Sequence, residues 1–363
     1  MKKDNFLAIG VMSGTSFDGI DISLISSDGK KYFKPIKSSF FKFSSKIKQK
    51  LFEISTNFDE NQYKIGLISS IESEITQEYI KTIKAFISKN RLKKIDLIGI
   101  HGQTIFHKPK DKISLQLCNP KTLHHELGIK IISDFRQNDL KFGGEGAPLV
   151  PIFHKMLVSH LDLEGNIIFI NLGGISNLTY IPSRGRLKAY DTGPGMTLLD
   201  QYVYLKKKKS FDRNGNFSLK GKTNQKVLKS VLQDKYFHKR SPKSLDKLYF
   251  SLKPFEKLNF NDACATISSF TGKSVLQEIS KFKIDKVIVS GGGIKNRHIF
   301  NILKKKLKSK LCVIDEFKLD KDFIESQAFA YLAIRSLKKL SISFPGTTGV
   351  SYPVSGGKIT SYR

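Results

Sequence analysis

The sequence predicts an α/β protein made of two similar domains. The same order of elements occurs twice, because each half opens with three strands and continues with alternating helices and strands. Short, nearly continuous apolar runs at Ile95–Ile100 and Lys286–Ser290 are typical of parallel strands covered on both faces. Glycine-rich loops lie at the ends of several predicted strands, where ligands bind in open α/β sheets. With 363 residues, the chain is long enough to form two hydrophobic cores.

The first half opens with three antiparallel strands, and the hairpin signal Asp28-Gly29 joins the second to the third. A long helix follows, because apolar residues recur there at intervals of three and four. The predicted elements are strands at Asn5–Met12, Ile20–Ser26 and Tyr32–Phe43, a helix at Gln62–Arg91, a strand at Ile95–Ile100, an alternating segment at Ile113–Leu117, a helix at Pro120–Leu127 and a strand at Ile129–Ser133.

The second half starts with a helix and then repeats this order. The predicted elements are a helix at Val150–Leu161, strands at Asn166–Leu172, Asn177–Ile181 and Leu187–Asp191, helices at Met196–Lys206, Asn224–Gln233 and Asp262–Lys281, a strand at Lys286–Ser290, a helix at Lys295–Lys308, a strand at Leu311–Ile314 and a helix at Phe323–Lys338. The repetition lies in the architecture rather than in the residues, and it indicates two α/β domains that face each other.

The net charge of +30 raises the question of a nucleic-acid partner. The basic runs, Lys206–Lys209 and Lys304–Lys310, carry no interleaved aromatic residues, and the sequence contains no nucleic-acid-binding motif. A lysine-rich surface without a nucleic-acid partner is therefore the favoured interpretation. The charge still favours anionic ligands by electrostatic steering.

Hydropathy and cysteine content favour a cytoplasmic protein without a membrane partner. No apolar stretch approaches the roughly 18 residues of a membrane helix. Asp4 precedes the first apolar run, which leads into a glycine turn, so we interpret it as a strand and not as a signal peptide. Cys118, Cys264 and Cys312 are odd in number and widely spaced, which predicts neither a disulfide framework nor a zinc site.

The first glycine loop, Ser13–Gly19, has the chemistry of a phosphate cradle. Glycine lets backbone N–H groups approach an anion, and serine and threonine hydroxyls add hydrogen bonds. Gly14 and Gly19 have the spacing of a Walker A loop, but Ile20-Asp21 replaces its Lys-Ser pair. A hairpin without a ligand is the open alternative.

Three further loops have similar chemistry. Asn171–Asn177 has the same place in the second half that Ser13–Gly19 has in the first, and the pair could hold a triphosphate from both sides. Asp191 precedes Gly193 and Gly195 at a strand-to-helix junction, where a carboxylate can act as a base or as a helix N-cap. The three glycines of Ser290–Asn296 would allow an adenosine to lie on the backbone.

Six strings carry a resemblance to a known family. They are GVMSGTSFDGID, IHGQTIFHKP, SDFRQNDLKFGGEGAPLVPIFH, INLGGISNLTYI, YDTGPGMTLLD and VSGGGIKN. Between Ile9 and Gly349 the chain resembles the anhydro-N-acetylmuramic acid kinases, within the superfamily of sugar kinases, actin and heat-shock chaperones. The resemblance implies two ribonuclease-H-like, actin-like ATPase domains with an interdomain cleft. Domain I would cover residues 1–140, with the tail 345–363 returning to it, and domain II residues 141–344.

The resemblance also implies an activity. Members of this family use ATP, Mg²⁺ and water to open 1,6-anhydro-N-acetylmuramic acid and phosphorylate its six-hydroxyl, in the recycling of peptidoglycan. The implied partners are this small amino sugar and ATP, and relatives suggest a homodimer. Asp191 matches the catalytic base, which would activate water as in an inverting glycosidase.

Carried over by position, the resemblance assigns residues to each ligand. The ATP-binding residues are Gly14, Thr15, Ser16, Phe17, Asp18, Gly19, Ile20, Asp21, Asn171, Gly173, Gly174, Gly193, Gly195, Gly291, Gly292, Gly293 and Asn296. Many members of the superfamily have an Asp at the place of Met12, so Asp18 and Asp21 are the candidates for contacting Mg²⁺ through water.

The sugar is assigned to His101, Gln103, Thr104, Arg136 and Glu325. A guanidinium is suited to a bidentate bond with the lactyl carboxylate, although Arg136 could equally form a structural salt bridge. His101 is as readily a structural residue as a ligand. Two positions depart from the family, because Met196 replaces the more frequent Asn and Glu145 the usual Gln.

Three other functions are alternatives to this one. A related kinase would phosphorylate an ordinary hydroxyl or carboxylate, and an actin-like or chaperone-like ATPase would need a polymer interface or a peptide-binding domain. A basic nucleic-acid binder would bind DNA in a salt-dependent way without turning over ATP. For the kinase, we expect closure around substrates, with hinges at Gly143–Pro148 and Pro345–Gly349.

Overall fold

The computed structural model describes residues 5–56, 65–246 and 249–361. The chain forms two compact units, Met1–Leu161 with Phe323–Arg363, and Asp162–Asp322. The predicted boundaries after residues 140 and 344 differ from this division, since residues 141–161 and 323–344 belong to the first unit. The physical reason is the helix at Ile324–Leu337, which packs on the first sheet.

The first unit is a mixed sheet with helices. Its strands are β1 (Phe6–Ser13), β2 (Gly19–Ser27), β3 (Phe33–Lys42), β4 (Leu97–Lys108), β5 (Ile113–Leu117), β6 (Ile131–Ser133) and β12 (Lys358–Thr360). Its helices are α1 (Ser45–Thr56), α2 (Ile65–Lys89), α3 (Pro120–Leu127), α4 (Gln137–Lys141), α5 (Pro151–His160) and α11 (Ile324–Leu337).

The strand order of the first sheet is β12-β6-β4-β1-β2-β3, and β5 pairs with β4. β1, β2 and β3 are antiparallel, whereas β4 runs parallel to both β1 and β6. β12 is antiparallel to β6, so the described part of the C-terminal tail is a strand of this sheet.

Glycines bring α11 close to the sheet. A Cβ at Gly10 on β1 would overlap the Ser326 carbonyl, and one at Gly99 on β4 would overlap the Phe329 carbonyl. These overlaps show that the strands meet the helix backbone directly. α11 is buried along most of its length for the same reason, which fixes its place in the first unit.

The second unit has the same topology. Its strands are β7 (Ile167–Leu172), β8 (Ser176–Ile181), β9 (Lys188–Gly193), β10 (Lys286–Ser290) and β11 (Leu311–Val313), and its helices are α6 (Thr197–Lys207), α7 (Asn216–Lys220), α8 (Gln225–Leu232), α9 (Phe260–Ile279) and α10 (Arg297–Leu307). The strand order is β11-β10-β7-β8-β9, with β7, β8 and β9 antiparallel and β10 parallel to its neighbours. When β5, which is off the main path, and the edge strand β12 are left out, the order in both sheets is third, second, first, fourth and fifth, which is the ribonuclease-H-like topology. The predicted fold class is thereby confirmed, and the interdomain cleft stays a prediction.

Some elements differ from the prediction. α1 was missed, although Leu51 and Ile54 are buried on one of its faces. α2 is described from Ile65 onward, so the predicted start at residues 62–64 lies outside the described residues. Within the described parts of the chain, no helix has both the length and the apolar character needed to cross a membrane.

The two predicted hinge segments lie together inside the first unit. Glu145 N–H donates to the Thr348 carbonyl at 2.7 Å. The buried Asp139 carboxylate accepts bonds from Gly146 N–H, at 2.7 Å, and from the Thr348 hydroxyl. The chain passes between the units at residues 161–162 and 322–323. The predicted hinge segments therefore do not coincide with the points where the chain passes from one unit to the other, and closure stays a prediction.

Candidate active site

Packing requires a glycine at the first residue of β2 but not in the loop that precedes it. A Cβ at Gly19 would overlap the Phe41 carbonyl of β3, so the sheet itself requires glycine there. A Cβ at Gly14 would meet nothing closer than Ser16 Oγ, at 3.8 Å. Among the described residues, packing does not require a glycine at position 14, which is what a backbone that approaches a ligand would show.

The side chains of this loop divide into exposed and buried ones. Thr15 and Ser16 are exposed and offer hydroxyl donors. Phe17 is buried with a left-handed φ of 56°, its N–H bonds to the Gly14 carbonyl at 3.2 Å, and Ile20 is also buried. The predicted contacts of Phe17 and Ile20 with ATP can therefore involve only their backbone.

The two metal candidates differ in their surroundings. Asp18 is exposed and forms an ion pair with Lys48, with Oδ1 and Nζ 2.5 Å apart. Asp21 is half-buried on β2 opposite Met12. The described residues contain no group of three or more His, Cys, Asp or Glu side chains arranged to hold a metal. The carboxylates present would suit a Mg²⁺ ion that keeps most of its waters and binds mainly to phosphate oxygens.

Gln103 connects strand β4 to the phosphate-cradle candidate. Its side chain is fully buried, and Nε2 donates to the Gly14 carbonyl at 3.1 Å. Its Oε1 is buried and has no hydrogen-bond partner among the described residues. Thr104, next along β4, accepts a long bond of 3.4 Å from Gln116 Nε2. One predicted sugar residue thus supports the first loop through the Gly14 carbonyl.

His101 and Arg136 form a hydrogen-bonded pair in the first unit. Arg136 Nε donates to His101 Nε2 at 3.1 Å, and His101 Nδ1 donates to the Gly102 carbonyl at 2.9 Å. This pattern requires a neutral imidazole that carries its proton on Nδ1. Burial, together with the Arg136 charge, lowers the pKa of His101 well below its usual range and keeps the ring neutral.

Arg136 also interacts electrostatically with Glu325. Burial lowers the pKa of Arg136 to about 10, and the Glu325 and Asp139 carboxylates oppose this shift. Burial raises the pKa of Glu325, and Arg136 opposes that shift in turn. The structure therefore brings three of the predicted sugar residues together in the first unit: a guanidinium, a neutral imidazole and a carboxyl group.

In the second unit, the β7–β8 hairpin and the start of α6 form one structure. Met196 N–H donates to the Gly173 carbonyl at 2.9 Å, and Thr197 N–H donates to the Gly174 carbonyl at 3.0 Å. Gly195 has a φ of 58°, and a Cβ there would overlap the Gly174 carbonyl. Two amides at the start of α6 are therefore used within the protein and are not available to an anion.

Asp191 lies on β9, half-buried, within a set of hydrogen bonds. Its Oδ2 accepts from Leu245 N–H at 2.8 Å, and its N–H donates to the Lys243 carbonyl at 3.2 Å. The Tyr236 hydroxyl donates to the Asp191 carbonyl at 2.6 Å. α6 begins at Thr197 with Met196 in the N-cap position. The alternative that Asp191 caps this helix is therefore wrong, and its carboxylate lies in polar surroundings.

In the glycine loop after β10, packing requires two of the three glycines and leaves the space at the third one open. A Cβ at Gly291, where φ is 87°, would overlap the Asn171 side chain, and a Cβ at Gly293 would lie 2.7 Å from Leu172 Cβ. A Cβ at Gly292 would meet nothing within 4 Å. Asn296 is buried and caps α10, because its Oδ1 accepts from the amides of His298 and Ile299. Gly292 is thus the position best suited to a ligand, whereas the Asn296 side chain has a structural role.

The two departures from the family have different environments. Met196 is partly buried, and a Cβ at Gly293 would lie 3.1 Å from its sulfur, so it packs against the last glycine loop. Glu145 is half-buried on the segment that bonds to Thr348.

A model of the family described as anhydro-N-acetylmuramic acid kinase matches residues 6–362. The chain belongs to this family. It is 36% identical to the anhydro-N-acetylmuramic acid kinase of Methylobacterium nodulans, over 96% of this chain and 98% of that one. It is 38% identical to the kinase of the same name from Pelagibacter ubique, over 97% of each chain. The predicted family and the predicted enzyme class, a sugar kinase, are confirmed.

Solved structures of lower similarity also match. They include component A of the Acidaminococcus fermentans (R)-2-hydroxyglutaryl-CoA dehydratase, with 10% identity and a TM-score of 0.44 over 92% of this chain and 100% of that one. A ROK family glucokinase from Streptomyces griseus, in complex with glucose and AMPPNP, matches with 11% identity and a TM-score of 0.37 over 91% of this chain and 98% of that one. At these TM-scores, neither structure carries an argument about this kinase.

Sequence reasoning missed several residues around the site of this kinase. Leu245 and Lys243 contact Asp191 through backbone groups, which leave no signal in a sequence. His107, on β4, is a further polar residue and is half-buried, and this burial, followed by the Arg136 charge, lowers its pKa to about 4. The string IHGQTIFHKP did contain His107, but nothing in the string shows that it lies near Arg136.

Proposed function

We propose that this kinase acts on 1,6-anhydro-N-acetylmuramic acid in the cytoplasm, during the recycling of peptidoglycan. A water oxygen attacks the anomeric carbon, and the bond from that carbon to the bridging oxygen breaks. The freed six-oxygen attacks the γ-phosphorus of ATP, and ADP leaves. The water loses its proton to a base, and the product is N-acetylmuramic acid 6-phosphate. The observation that supports this proposal is a half-buried carboxylate, Asp191, held by Leu245 N–H beside a glycine hairpin.

Asp191 is the proposed base. The Leu245 N–H donates to Oδ2 and holds the half-buried carboxylate, which would take the proton from water. General-base assistance of this kind typically contributes about 10²–10⁴-fold to a rate. A glycosidase of the inverting type also needs an acid for its leaving group. Here the departing oxygen bonds to phosphorus instead, so a second carboxyl group is not required.

The phosphates of ATP are proposed to bind to glycine loops. Gly14, Thr15 and Ser16 supply an open backbone and two exposed hydroxyls, and the hairpin at Gly173 and Gly174 supplies a second cradle. Gly292 would lie under the adenosine, because nothing within 4 Å of its Cβ position restricts that space. Mg²⁺ bound to the phosphates would neutralise charge that develops on them, with Asp18 and Asp21 as candidate contacts through water.

The sugar is proposed to bind near Arg136. Its Nε is used by His101, so the two terminal nitrogens of the guanidinium form the edge that would meet the lactyl carboxylate. The buried His101 ring holds that edge in one direction. Gln103 is fully buried, so its proposed part is to hold the Gly14 carbonyl of the first loop.

A transfer assay with isotopic water tests the proposal. The full chain, ATP and Mg²⁺ would be incubated with the anhydro sugar in H₂¹⁸O, with ordinary hexoses and amino sugars in parallel. We expect a 6-phosphate that carries one ¹⁸O atom at the anomeric position, and slow or no transfer to the ordinary sugars. Faster transfer to an ordinary hydroxyl would instead favour a related kinase, for which the anhydro bond is irrelevant. Sedimentation of the same preparation tests the proposed homodimer.

A further inference from the structure

A buried lysine anchors an irregular segment of the second unit. Lys243 Nζ lies 2.9 Å from Glu278 Oε1, and the two side chains are 3% and 0% exposed. Nζ also donates to the Tyr236 carbonyl at 3.3 Å and lies 4.4 Å from the centre of the Tyr236 ring. A buried ion pair is weak evidence for stability, because desolvation of both charges opposes their attraction. Stabilisation by this ion pair therefore does not by itself explain a buried lysine at this position.

The backbone of the same segment holds Asp191. The Lys243 carbonyl accepts from Asp191 N–H at 3.2 Å, and Leu245 N–H donates to Asp191 Oδ2 at 2.8 Å. Residues 241–246 belong to no helix or strand, so no ladder of hydrogen bonds fixes this donor. The side chain of Lys243 supplies a fixed point instead, because it ties the segment to Glu278 on α9.

We infer that Lys243 is a positioning residue for Asp191: its ion pair with Glu278 fixes residues 243–245, so that Leu245 N–H holds the Asp191 carboxylate in one orientation. This inference rests on the proposed role of Asp191 as the base. A hydrogen bond from an amide to a carboxylate favours the charged form, so the same contact also keeps the base ready to accept a proton.

The chain offers a matched control. Lys281 Nζ lies 2.7 Å from Glu278 Oε2, so both lysines pair with the same carboxylate through different oxygens. Lys281 is 41% exposed, and its other described hydrogen bond goes to the Phe237 carbonyl. Removing either lysine weakens the pairing of Glu278, but only Lys243 carries backbone that bonds to Asp191.

The first experiment compares Lys243→Met and Lys281→Met in the full chain, with kcat and KM measured across pH. For Lys243→Met we expect kcat to fall about 10- to 100-fold, the range in which misplacement of a reacting group typically lowers a rate. Both KM values should stay within about threefold, and the acidic limb of the kcat profile should move to higher pH because the charged carboxylate loses a donor. For Lys281→Met we expect kcat and the acidic limb of its pH profile to match the wild type, and we expect a lower Tm. Equal losses of kcat in the two variants, with an unmoved limb in both, would overturn the inference.

A second variant removes the donor itself. Leu245→Pro deletes the N–H that bonds to Asp191 and leaves Lys243 and Glu278 in place, so it serves if Lys243→Met does not fold. For Leu245→Pro we expect the same loss of kcat as for Lys243→Met, and the same shift of the acidic limb of the kcat profile to higher pH. A folded Leu245→Pro protein with wild-type kcat and an unmoved limb would contradict the inference.

A titration that needs no turnover separates this inference from the proposed function. The carboxyl carbons of aspartate would be labelled with ¹³C, and Asp191→Asn would identify the Asp191 resonance. Tyr236 bonds to the Asp191 backbone, Lys243 and Lys281 pair with Glu278, and Asp246 lies next to the Leu245 donor in the chain. The paired variants hold Tyr236, Asp246 and Glu278 constant. We expect the pKa of Asp191 to rise in Lys243→Met and to be unchanged in Lys281→Met. If the wild type does not act on the anhydro sugar, the proposed function fails, and this titration still decides the role of Lys243.

Discussion

Replacing Asp191 with Asn is the sharpest test of the proposed base. In the wild type, Leu245 N–H donates to Asp191 Oδ2 at 2.8 Å, and the side-chain oxygen of Asn can accept the same hydrogen bond. The backbone bonds of residue 191 to Lys243 and Tyr236 do not depend on its side chain. The loss of stability should therefore be about 1 kcal/mol or less, the value of one weakened hydrogen bond. The amide cannot take a proton from water, so kcat should fall by about 10²–10⁴-fold, equivalent to roughly 3–5 kcal/mol of transition-state stabilisation.

The assay measures phosphate transfer under saturating ATP and sugar, together with urea unfolding of the same preparation. Asp162→Asn, at an exposed acid of the same unit, is the control for the loss of one negative charge. A folded Asp191→Asn protein that turns over within threefold of the wild type would refute the role of Asp191 as base. A variant that loses both stability and turnover in proportion would instead point to a structural role.

Three further predictions concern the other parts of the site. Gly292→Ala should leave the free energy of unfolding nearly unchanged but raise the KM for ATP several-fold, as urea unfolding and initial rates will show. Gly293→Ala should lower the free energy of unfolding by about 1–3 kcal/mol, because the new Cβ would meet Leu172. An unaltered KM for ATP in Gly292→Ala would contradict adenosine binding at Gly292. Arg136→Lys should raise the KM for the sugar about tenfold and leave the KM for ATP unchanged, because a lysine cannot form a bidentate bond with the lactyl carboxylate. A rise in the KM for ATP alone would exclude a contact between Arg136 and the sugar. Burial lowers the folded-state pKa of His101 and of His154, the latter to about 3, so at these two residues the unfolded chain binds more protons below pH 6.5, and the stability present above that pH is lost on acidification. Each histidine should lower the free energy of unfolding by about 1.4 kcal/mol between pH 7.5 and 5.5. His154→Gln should reduce this loss of stability by the share of one histidine, and an unchanged loss in urea unfolding would contradict the low pKa of His154.

The topology could be predicted from the sequence because its signals are periodic. Alternating strands and the long run of α2 extend over many residues, and tertiary packing agrees with them. α1 was missed because its core contacts, Leu51 and Ile54, are few and lie among charged residues. The boundaries were misplaced because the packing of α11 on Gly10 and Gly99 joins residues that are far apart in the chain.

The site was predictable in its residue types but not in its contacts. Asn296 was interpreted as a ligand of ATP because an asparagine after glycines looks the same in sequence whether it caps a helix or binds a nucleotide. In the structure Asn296 caps α10, since its Oδ1 accepts from the first amides of that helix, and its assignment to ATP stays a prediction. The pairing of His101 with Arg136 could not be predicted either, because the two residues are 35 positions apart and adjoin only after β4 and α4 have formed.

The two units use the same topology to build different glycine loops. In the first unit, Gly14 is open, and its carbonyl is held by the buried Gln103 side chain from β4. In the second unit, the carbonyls of Gly173 and Gly174 are held by the first amides of α6. The helix N-terminus that would usually attract an anion is therefore partly used in fixing the hairpin. It follows that a phosphate at this hairpin would depend on the amides of the loop itself and on the lysine-rich surface of the protein, rather than on the dipole of α6.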